Sequence, residues 1–294
     1  MTFKRVHIEI SNICNVQCSF CPIVERPKDI MSLEEFEKIL IQAVPLAEDI
    51  CLHLMGEPLA HPQFLEIIAL SKKHGASLQI TTNGLLTKRY EDALLNSGVV
   101  RQLNFSLQAF KDNFPDRPLS EYLDPILDYT KKAFSLAPNQ FINYRLWNHG
   151  TESFNLNEDV ISYCENDLGF KLKRVVDPGG IKSKKVFKDH RLYFHFDSRF
   201  DWPNPHFPIN SQRGTCQGLR NHIGIHADGT VVPCCLDKEA VINLGNVLEK
   251  PLVEILASSR AKAIKEGFER QQLVEDLCQR CTFINRFTKK KHQK

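Results

Sequence analysis

The sequence predicts an α/β protein in which a partial (β/α)6 barrel of the TIM type is followed by a small domain of one β-hairpin and a few helices. Short apolar segments alternate with amphipathic ones over the first 176 residues, as in a parallel sheet wound by crossover helices. The alternation then stops, and an Asp-Gly turn signal and clustered cysteines mark the rest of the chain. A length of 294 residues accommodates one large barrel domain or a smaller domain with an appendage.

The first predicted domain, residues 1–180, contains six candidate strands rich in apolar or β-branched residues. They span residues 5–10, 50–55, 77–82, 102–107, 140–146 and 171–176. Amphipathic helices are predicted between them at residues 33–44, 64–74, 90–96, 122–136 and 157–168. Ser32 precedes the first helix and Glu35 follows three residues later, which is the pattern of a capping box.

The segment after the sixth predicted strand begins with Asp177-Pro-Gly-Gly and has little periodicity. Residues 181–215 are predicted to form a connecting segment or a lid over the barrel mouth, with aromatic side chains packed inward and cations in water. Aromatic rings among cations also suit base stacking and phosphate contact, so RNA binding by this segment remains an alternative.

Residues 216–285 are predicted to form the second domain. Strands at residues 223–226 and 230–233 flank Ala227-Asp228-Gly229, and the Asp-Gly pair suits the positive φ angles of a tight hairpin turn. Pro251 suits the first turn of a helix that ends near residue 257, and a second helix is predicted over residues 260–270. The basic end of the chain, residues 286–294, is predicted to be a disordered tail.

Composition and charge are those of an ordinary globular protein, with 42% hydrophobic and 25% charged residues. No apolar run approaches the roughly 20 residues that span a bilayer, and the N-terminus lacks the apolar core of a secretion signal. The sequence therefore predicts a cytoplasmic protein without a membrane partner. A net charge of +3 is too small to indicate a polyanionic partner by itself.

The chain has ten cysteines, which in a reducing compartment indicate metal ligation or redox chemistry rather than disulfides. Most of them are clustered, and Cys51, Cys164 and Cys235 are left as candidates for plain buried thiols. The clustered cysteines are Cys14, Cys18 and Cys21, Cys216 and Cys234, and Cys278 and Cys281.

The first cluster, Cys14-Asn-Val-Gln-Cys18-Ser-Phe-Cys21, follows a predicted strand directly. One loop with three thiolates can hold a four-iron cube and leave one iron open for another ligand. The end of a barrel strand is also where active sites lie in barrels of this kind. A zinc site is the alternative, and it requires a fourth ligand, for which His7 and His53 remain candidates.

The C-x3-C-x2-C pattern, with the aromatic Phe20 before its last cysteine, resembles the signature of the radical S-adenosylmethionine (SAM) superfamily. The resemblance implies a [4Fe–4S] cluster whose open iron binds SAM. It also implies reductive cleavage of SAM to a 5′-deoxyadenosyl radical that abstracts hydrogen from a substrate, and an electron donor of the flavodoxin or ferredoxin type.

Further positions match this superfamily's SAM contacts, one strand end at a time. Gly56 and Glu57 match two residues of a Gly-Gly-Glu motif that holds the SAM amino group, whereas Met55 departs from its first glycine. The remaining matches are Asn83 in Thr-Asn-Gly, Ser106 and Gln108 on the fourth strand, Arg145 on the fifth strand, and Phe20 in the loop. Each has an ordinary structural alternative, in a turn, a strand contact or a surface ion pair, but all fall at predicted strand ends.

The later cysteines Cys216, Cys234, Cys278 and Cys281 can complete a tetrahedral or cubane site. Their spacing around the hairpin resembles the auxiliary-cluster region of SPASM and twitch radical SAM proteins. This implies one auxiliary [4Fe–4S] cluster that transfers electrons, ligated by Cys234 in preference to its neighbour Cys235. A four-cysteine zinc site is the alternative. Asp237, after the hairpin, is a candidate proton acceptor, although an acid near a turn is more often exposed and inactive.

The sequence thus predicts a radical SAM enzyme that oxidises or modifies a small molecule or a peptide. The first strand begins near residue 5, without the strand–helix extension of many peptide-maturing relatives, and this favours a small molecule or nucleic acid. RNA modification is the alternative within the family. A zinc-binding, nucleic-acid-binding protein is the alternative without catalysis.

Overall fold

The computed structural model describes residues 2–174 and 182–287. The strands are β1 (Phe3–Ile8), β2 (Ala47–Cys51), β3 (Leu78–Thr82), β4 (Val100–Ser106), β5 (Phe141–His149), β6 (Lys182–Lys185), β7 (Leu192–Ser198), β8 (His222–Ile225) and β9 (Val231–Val232). The α-helices are α1 (Leu33–Ala43), α2 (Phe64–Lys73), α3 (Glu91–Asn96), α4 (Gln108–Asn113), α5 (Ser120–Leu136), α6 (Asn157–Leu168), α7 (Leu252–Leu256), α8 (Ser259–Glu269) and α9 (Asp276–Arg280). Short 3-10 helices lie at Val44–Leu46, Pro58–Ala60, Thr87–Tyr90, Glu152–Leu156 and Thr282–Arg286.

The chain forms two compact units. Unit 1 consists of Met1–Asn12, Ile23–Met55 and Phe200–Lys294, and unit 2 consists of Ile13–Pro22 and Gly56–Arg199. The cysteine loop therefore belongs to unit 2, whereas all four later cysteines belong to unit 1. The domain boundaries drawn from the sequence remain predictions.

In unit 1, the strand order is β2-β1-β8-β9, with β1 parallel to β2 and β8 and with β8 antiparallel to β9. The predicted hairpin is confirmed: Gly229 has a φ of +84°, and its amide donates to the carbonyl of His226 at 2.9 Å. The capping box is also confirmed, because the Ser32 side chain accepts from the Glu35 amide while the Glu35 side chain accepts from the Ser32 amide. Helix α1 buries its apolar stripe, including Phe36 and Ile39.

In unit 2, the strand order is β3-β4-β5-β7-β6, and only β6 is antiparallel to its neighbour. One face of this sheet is apolar and packs on α5, where the Phe105 ring meets Tyr129 edge-on at 5.9 Å. Side chains alternate along a strand, so the other face carries the residues between them. Polar groups line that face, with Asn143 donating to Asn104 at 2.7 Å in the middle of the sheet.

The predicted α/β class and parallel sheet are confirmed, and five of the six predicted barrel strands are observed. The sixth is not: residues 171–174 have no regular structure, and residues 175–181 lie outside the described residues, as do residues 288–294 of the predicted tail. Strand β7 instead pairs with β5 and lies inside the segment predicted to be a connection. The alternation of buried Leu192, Phe194 and Phe196 was the signal for it.

Helix α4 is a second element that the sequence pattern did not predict. It starts at Gln108, directly after β4, and its six residues are too few to show helical periodicity. None of the helices described combines the length and apolarity needed to cross a bilayer.

Candidate active site

The cysteine loop of unit 2 exposes Cys14 and Cys21 and buries Cys18. The Cys21 amide donates to the carbonyl of Cys18 at 3.1 Å, which turns the loop between its last two thiols. Burial raises the pKa of the Cys18 thiol to about 12. A metal cluster bound here therefore has to displace protons, as is usual for thiolate ligands.

Hydrogen bonds to sulfur hold two of these thiols. Asn113, the last residue of α4, donates from Nδ2 to Cys18 Sγ at 3.1 Å and accepts the Gln17 amide on Oδ1 at 3.0 Å. Cys14 Sγ is approached by Asn83 Nδ2 at 3.9 Å and accepts from the backbone at Val16. Donors of this kind stabilise thiolates and tune clusters, so the loop fits a [4Fe–4S] cluster.

Asp112 and Arg199 position the same loop. The sequence analysis did not identify either residue as part of the site. The Asp112 carboxylate accepts from both the amide and the hydroxyl of Ser19, at 2.5 and 2.7 Å. The Arg199 guanidinium donates to the Ser19 carbonyl at 2.7 Å. They lie about 90 and 180 residues from the loop in sequence, so only the fold brings these side chains to it.

Glu57 lies at the centre of a buried hydrogen-bond set. Its carboxylate accepts from the amides of Asn83 at 2.7 Å and Leu59 at 3.0 Å, and its own amide donates to the Ile13 carbonyl at 3.0 Å. The side chain is only 2% exposed, and burial raises its pKa to about 7. Gly56 precedes it with a φ of +74°, which explains the glycine there.

Asn83 connects this acid to the cysteine loop. Its Nδ2 donates to Asn15 Oδ1 at 2.7 Å, and the Tyr122 hydroxyl donates to its backbone carbonyl at 2.8 Å. Glu57, Asn83 and the loop thus form one hydrogen-bonded group, and their roles as SAM contacts stay predictions. Gly84 follows with a φ of +85°, and an added Cβ there would lie 2.8 Å from Ile126.

Ser106 and Arg145 are register partners on β4 and β5, so their side chains lie on the same face of the sheet. Arg145 donates to Thr81 Oγ1 at 3.2 Å, and its guanidinium lies 4.6 Å from the ring centroid of Trp147. His195 on β7 is the next register partner, and burial and the Arg145 charge lower its pKa to about 4. The imidazole is therefore neutral near pH 7.

Gln108 is the first residue of α4 rather than a strand residue, and its Oε1 is buried without a hydrogen-bond partner among the described residues. Phe20 borders a cavity of about 310 Å³ next to the cysteine loop. The cavity is lined by Ser19, Phe20, Asp112, Trp147, Asn148, Thr151 and Arg199.

In unit 1, the fold brings together the four cysteines from three separate segments. Burial raises the pKa of Cys216 to about 11 and that of Cys281 to about 12, and the nearby charge of Cys234 raises both of these and the pKa of Cys278 further. Backbone amides point at the sulfurs: the Leu236 amide donates to Cys234 Sγ at 3.4 Å. A set of four thiols with such donors, of which Cys281 is buried and the other three are half-buried, fits an iron–sulfur cluster.

Cys235 lies beside this set, and His222 accompanies it. The ligand atoms of His222, Cys234 and Cys235 lie within 4.8 Å of one another. The two neighbouring cysteines thus lie in one group with His222, and the preference for Cys234 as ligand stays a prediction.

Asp237 is buried, not exposed as acids near turns usually are, with 3% of its surface accessible. Its two carboxylate oxygens accept the amides of Val241 at 2.9 Å and Ile242 at 2.8 Å. Burial raises the pKa of this carboxyl while these bonds lower it. The contacts of Asp237 are those of a residue that closes a turn, and its role as proton acceptor stays a prediction.

Comparison with known families agrees with both cysteine sites. The profile of the Radical SAM superfamily matches residues 8–144, and that of the SPASM family, an iron–sulfur cluster-binding domain, matches residues 216–282. The tungsten-containing aldehyde ferredoxin oxidoreductase cofactor-modifying protein of Pyrococcus furiosus is 35% identical over 87% of this chain and 82% of its own length. GTP 3′,8-cyclase of Alkaliphilus oremlandii is 33% identical, over 38% of this chain and only 36% of the cyclase.

Solved structures share the fold. BtrN in complex with AdoMet and 2-DOIA aligns over 96% of this chain and 94% of its own, with a TM-score of 0.57 and 15% identity. SuiB of Streptococcus suis, bound to its precursor peptide SuiA, aligns over 98% of this chain and 74% of its own, with a TM-score of 0.64 and 16% identity. The predicted partial barrel is thereby confirmed. The chain belongs to the radical SAM superfamily, as an enzyme with a SAM-bound [4Fe–4S] cluster and an auxiliary iron–sulfur domain of the SPASM type.

Proposed function

We propose that unit 2 binds SAM on the cluster of Cys14, Cys18 and Cys21, and that the enzyme oxidises or otherwise modifies a polar small molecule. The observation that carries this proposal is the hydrogen-bonded group of Glu57, Asn83 and the cysteine loop. When bound, the cluster and SAM supply a 5′-deoxyadenosyl radical that abstracts hydrogen, and the auxiliary cluster supplies a one-electron acceptor.

The residues of unit 2 divide the task of holding SAM. Glu57 is a buried acid with a pKa of about 7, so a cationic amino group beside it favours the ionised form. Asn83 fixes the Glu57 carboxylate through its amide and the loop through its side chain. Arg145 is the cation on the neighbouring polar face and suits a carboxylate, and Ser106 is its register partner.

A small polar substrate is supported by the face of the sheet that carries Asn104, Asn143 and His195. Amides and a neutral imidazole suit an oxygen-rich molecule. The cavity of about 310 Å³ is at the lower end for small-molecule sites. The sequence relatives named above are a cofactor-modifying protein and a GTP cyclase, whose names concern small molecules.

A peptide is the second candidate substrate, and one observation favours it: SuiB, which shares the fold, is solved with a precursor peptide.

For the later cysteines we propose one auxiliary [4Fe–4S] cluster ligated by Cys216, Cys234, Cys278 and Cys281, which takes up an electron during turnover. A flavodoxin or ferredoxin is the proposed donor to the SAM cluster.

Anaerobic reconstitution tests the cofactor assignment. We expect roughly eight irons per chain, from two four-iron clusters, and release of 5′-deoxyadenosine on reduction with SAM. The variants Cys14→Ala, Cys18→Ala and Cys21→Ala should lose SAM cleavage. Cys164→Ala, a buried thiol of unit 2 outside the loop, is the matched control and should keep it. Stoichiometric zinc in place of iron and no SAM cleavage would refute the proposal.

The auxiliary role is tested separately with Cys278→Ala and Cys281→Ala. These variants should lose about half of the iron, retain SAM cleavage without substrate, and form no product. Product formation at the wild-type rate would contradict the electron-acceptor role.

Substrate class is tested by measuring which polar small molecules or peptides accelerate 5′-deoxyadenosine release. Acceleration by peptides alone would replace the small-molecule proposal with the second candidate.

A further inference from the structure

One group of metal-binding side chains in unit 1 lies outside both cysteine sets. It consists of His7 on β1, Cys51 at the end of β2, and His53 just after β2. One ligand atom from each residue lies within 4.8 Å of the other two. His7 is 8% and Cys51 1% exposed, and His53 is half-buried. The sequence pattern had assigned Cys51 as a plain buried thiol, so the fold gives this cysteine two imidazole neighbours.

The register of the sheet explains the grouping. His7 and Cys51 are direct Cα partners in the parallel ladder of β1 and β2, so their side chains leave the same face. His53 lies two residues beyond the end of β2, and its ring meets that of His7 edge-on with the ring centroids 5.3 Å apart. Pairing of β1 with β2 thereby brings His7 to a Cys-x-His pair.

A hydrogen bond fixes the chemical form of one imidazole. His7 Nδ1 lies 3.2 Å from the backbone carbonyl oxygen of His53. A carbonyl oxygen only accepts, so Nδ1 carries the hydrogen of the neutral ring and Nε2 is left as the basic nitrogen. Metal-binding histidines characteristically donate their second nitrogen to a carbonyl or carboxylate in this way.

We propose that Cys51, His7 and His53 bind a zinc ion that joins β1 to β2. One thiolate and two imidazoles are a borderline-soft donor set that suits zinc, and three protein ligands leave one position of a tetrahedron for water or another ligand. That position is left to water or another ligand, because His222, whose ring centroid lies 5.9 Å from that of His7, has its ligand atom beside those of Cys234 and Cys235. Binding displaces the Cys51 proton to solvent.

The test uses the holoenzyme, reconstituted with iron and sulfide, then given zinc chloride and washed with a weak chelator. We expect about one zinc per chain beyond the full complement of iron. X-ray absorption at the zinc edge should give one sulfur neighbour at about 2.3 Å and two or three nitrogen or oxygen neighbours at about 2.0–2.1 Å. Zinc bound in place of iron in either cysteine set would have mainly sulfur neighbours, so a coordination shell of three or four sulfurs overturns the proposal. The absence of bound zinc overturns it as well.

Matched variants locate the ion. Cys51→Ser and His53→Gln should bind at least tenfold less zinc at the same free concentration while keeping the wild-type iron content and SAM cleavage. Cys164→Ser removes a buried thiol that has no place in the group and should bind zinc as the wild type does. Retention of zinc in both Cys51→Ser and His53→Gln overturns the proposal. Because iron content is read independently, this failure is distinct from a failure of the radical SAM assignment.

Discussion

The substitution Glu57→Gln tests how a buried acid controls SAM binding. In the free enzyme, burial raises the pKa of Glu57 from 4.5 to about 7. The side chain is 2% exposed, so solvent does not screen a partner charge placed against it. If the ionised carboxylate of Glu57 pairs with the SAM amino group, Glu57 has to lose its proton when SAM binds below pH 7. Well above pH 7 the carboxylate is already ionised, and no proton is released.

The magnitude follows from this pKa. Near pH 5.5 roughly 3% of Glu57 is ionised, so SAM should bind the wild type about 30-fold more weakly than at its plateau above pH 8. Glutamine cannot ionise, so the variant should lose this pH dependence. At the plateau it should bind SAM roughly 10- to 150-fold more weakly, since a hydrogen bond between charged groups contributes about 1.5–3 kcal/mol.

The assay is anaerobic calorimetric titration of SAM into the reconstituted enzyme between about pH 5.5 and pH 8.5. Titration of SAM itself or of the cluster affects wild type and variant alike, so the difference between them isolates Glu57. Glu121→Gln, an exposed acid of the same unit, is the control and should behave as the wild type does. Equal pH slopes in the wild type and Glu57→Gln would refute the reasoning.

Three further substitutions test the supports of the two units. Asn113→Ala removes the donor to Cys18 and the acceptor of a loop amide, and the two hydrogen bonds together contribute about 1–3 kcal/mol. A chelator should therefore remove the cluster from the loop of this variant faster than from the wild type, and an unchanged rate of loss of the cluster absorbance would contradict this. Glu9→Ala leaves the Arg26 guanidinium, which is 12% exposed, without its buried carboxylate partner. The free energy of unfolding, measured by urea denaturation, should fall by about 3–5 kcal/mol. A fall of less than about 1 kcal/mol would show that the pair is solvated. Gly84→Ala adds a side chain to a residue whose φ is +85°, and the free energy of unfolding in urea should fall by about 1–3 kcal/mol. An unchanged urea midpoint would contradict this.

Local patterns sufficed for the barrel and for most of the candidate site. Five predicted strands, the capping box at Ser32 and the hairpin around Gly229 depend on periodicity and turn chemistry within about ten residues, which a sequence displays directly. The cysteine loop and Glu57 were found for a related reason. A thiol loop that wraps one cluster has to be contiguous, and the acid beside it follows the next strand.

Strand β7 was missed although its alternation is visible, because the basic, aromatic composition around it outweighed a short pattern. Its place in the sheet comes from pairing with β5, about 50 residues earlier in the chain. Composition of a segment is therefore a weak guide when strand pairing is long-range.

By itself, the sequence indicated the cofactors, because its cysteine spacing and strand-end motifs are local patterns that resemble those of the radical SAM superfamily. Only the tertiary structure decided which distant side chains meet the cysteine loop and which contacts Asp237 makes. Asn113 and Arg199 meet the cysteine loop from elements far along the chain, and Asp237 turns both its oxygens to backbone amides. The register of β1 and β2 places His7 beside Cys51. Such meetings depend on packing and register between distant segments, which no local pattern encodes.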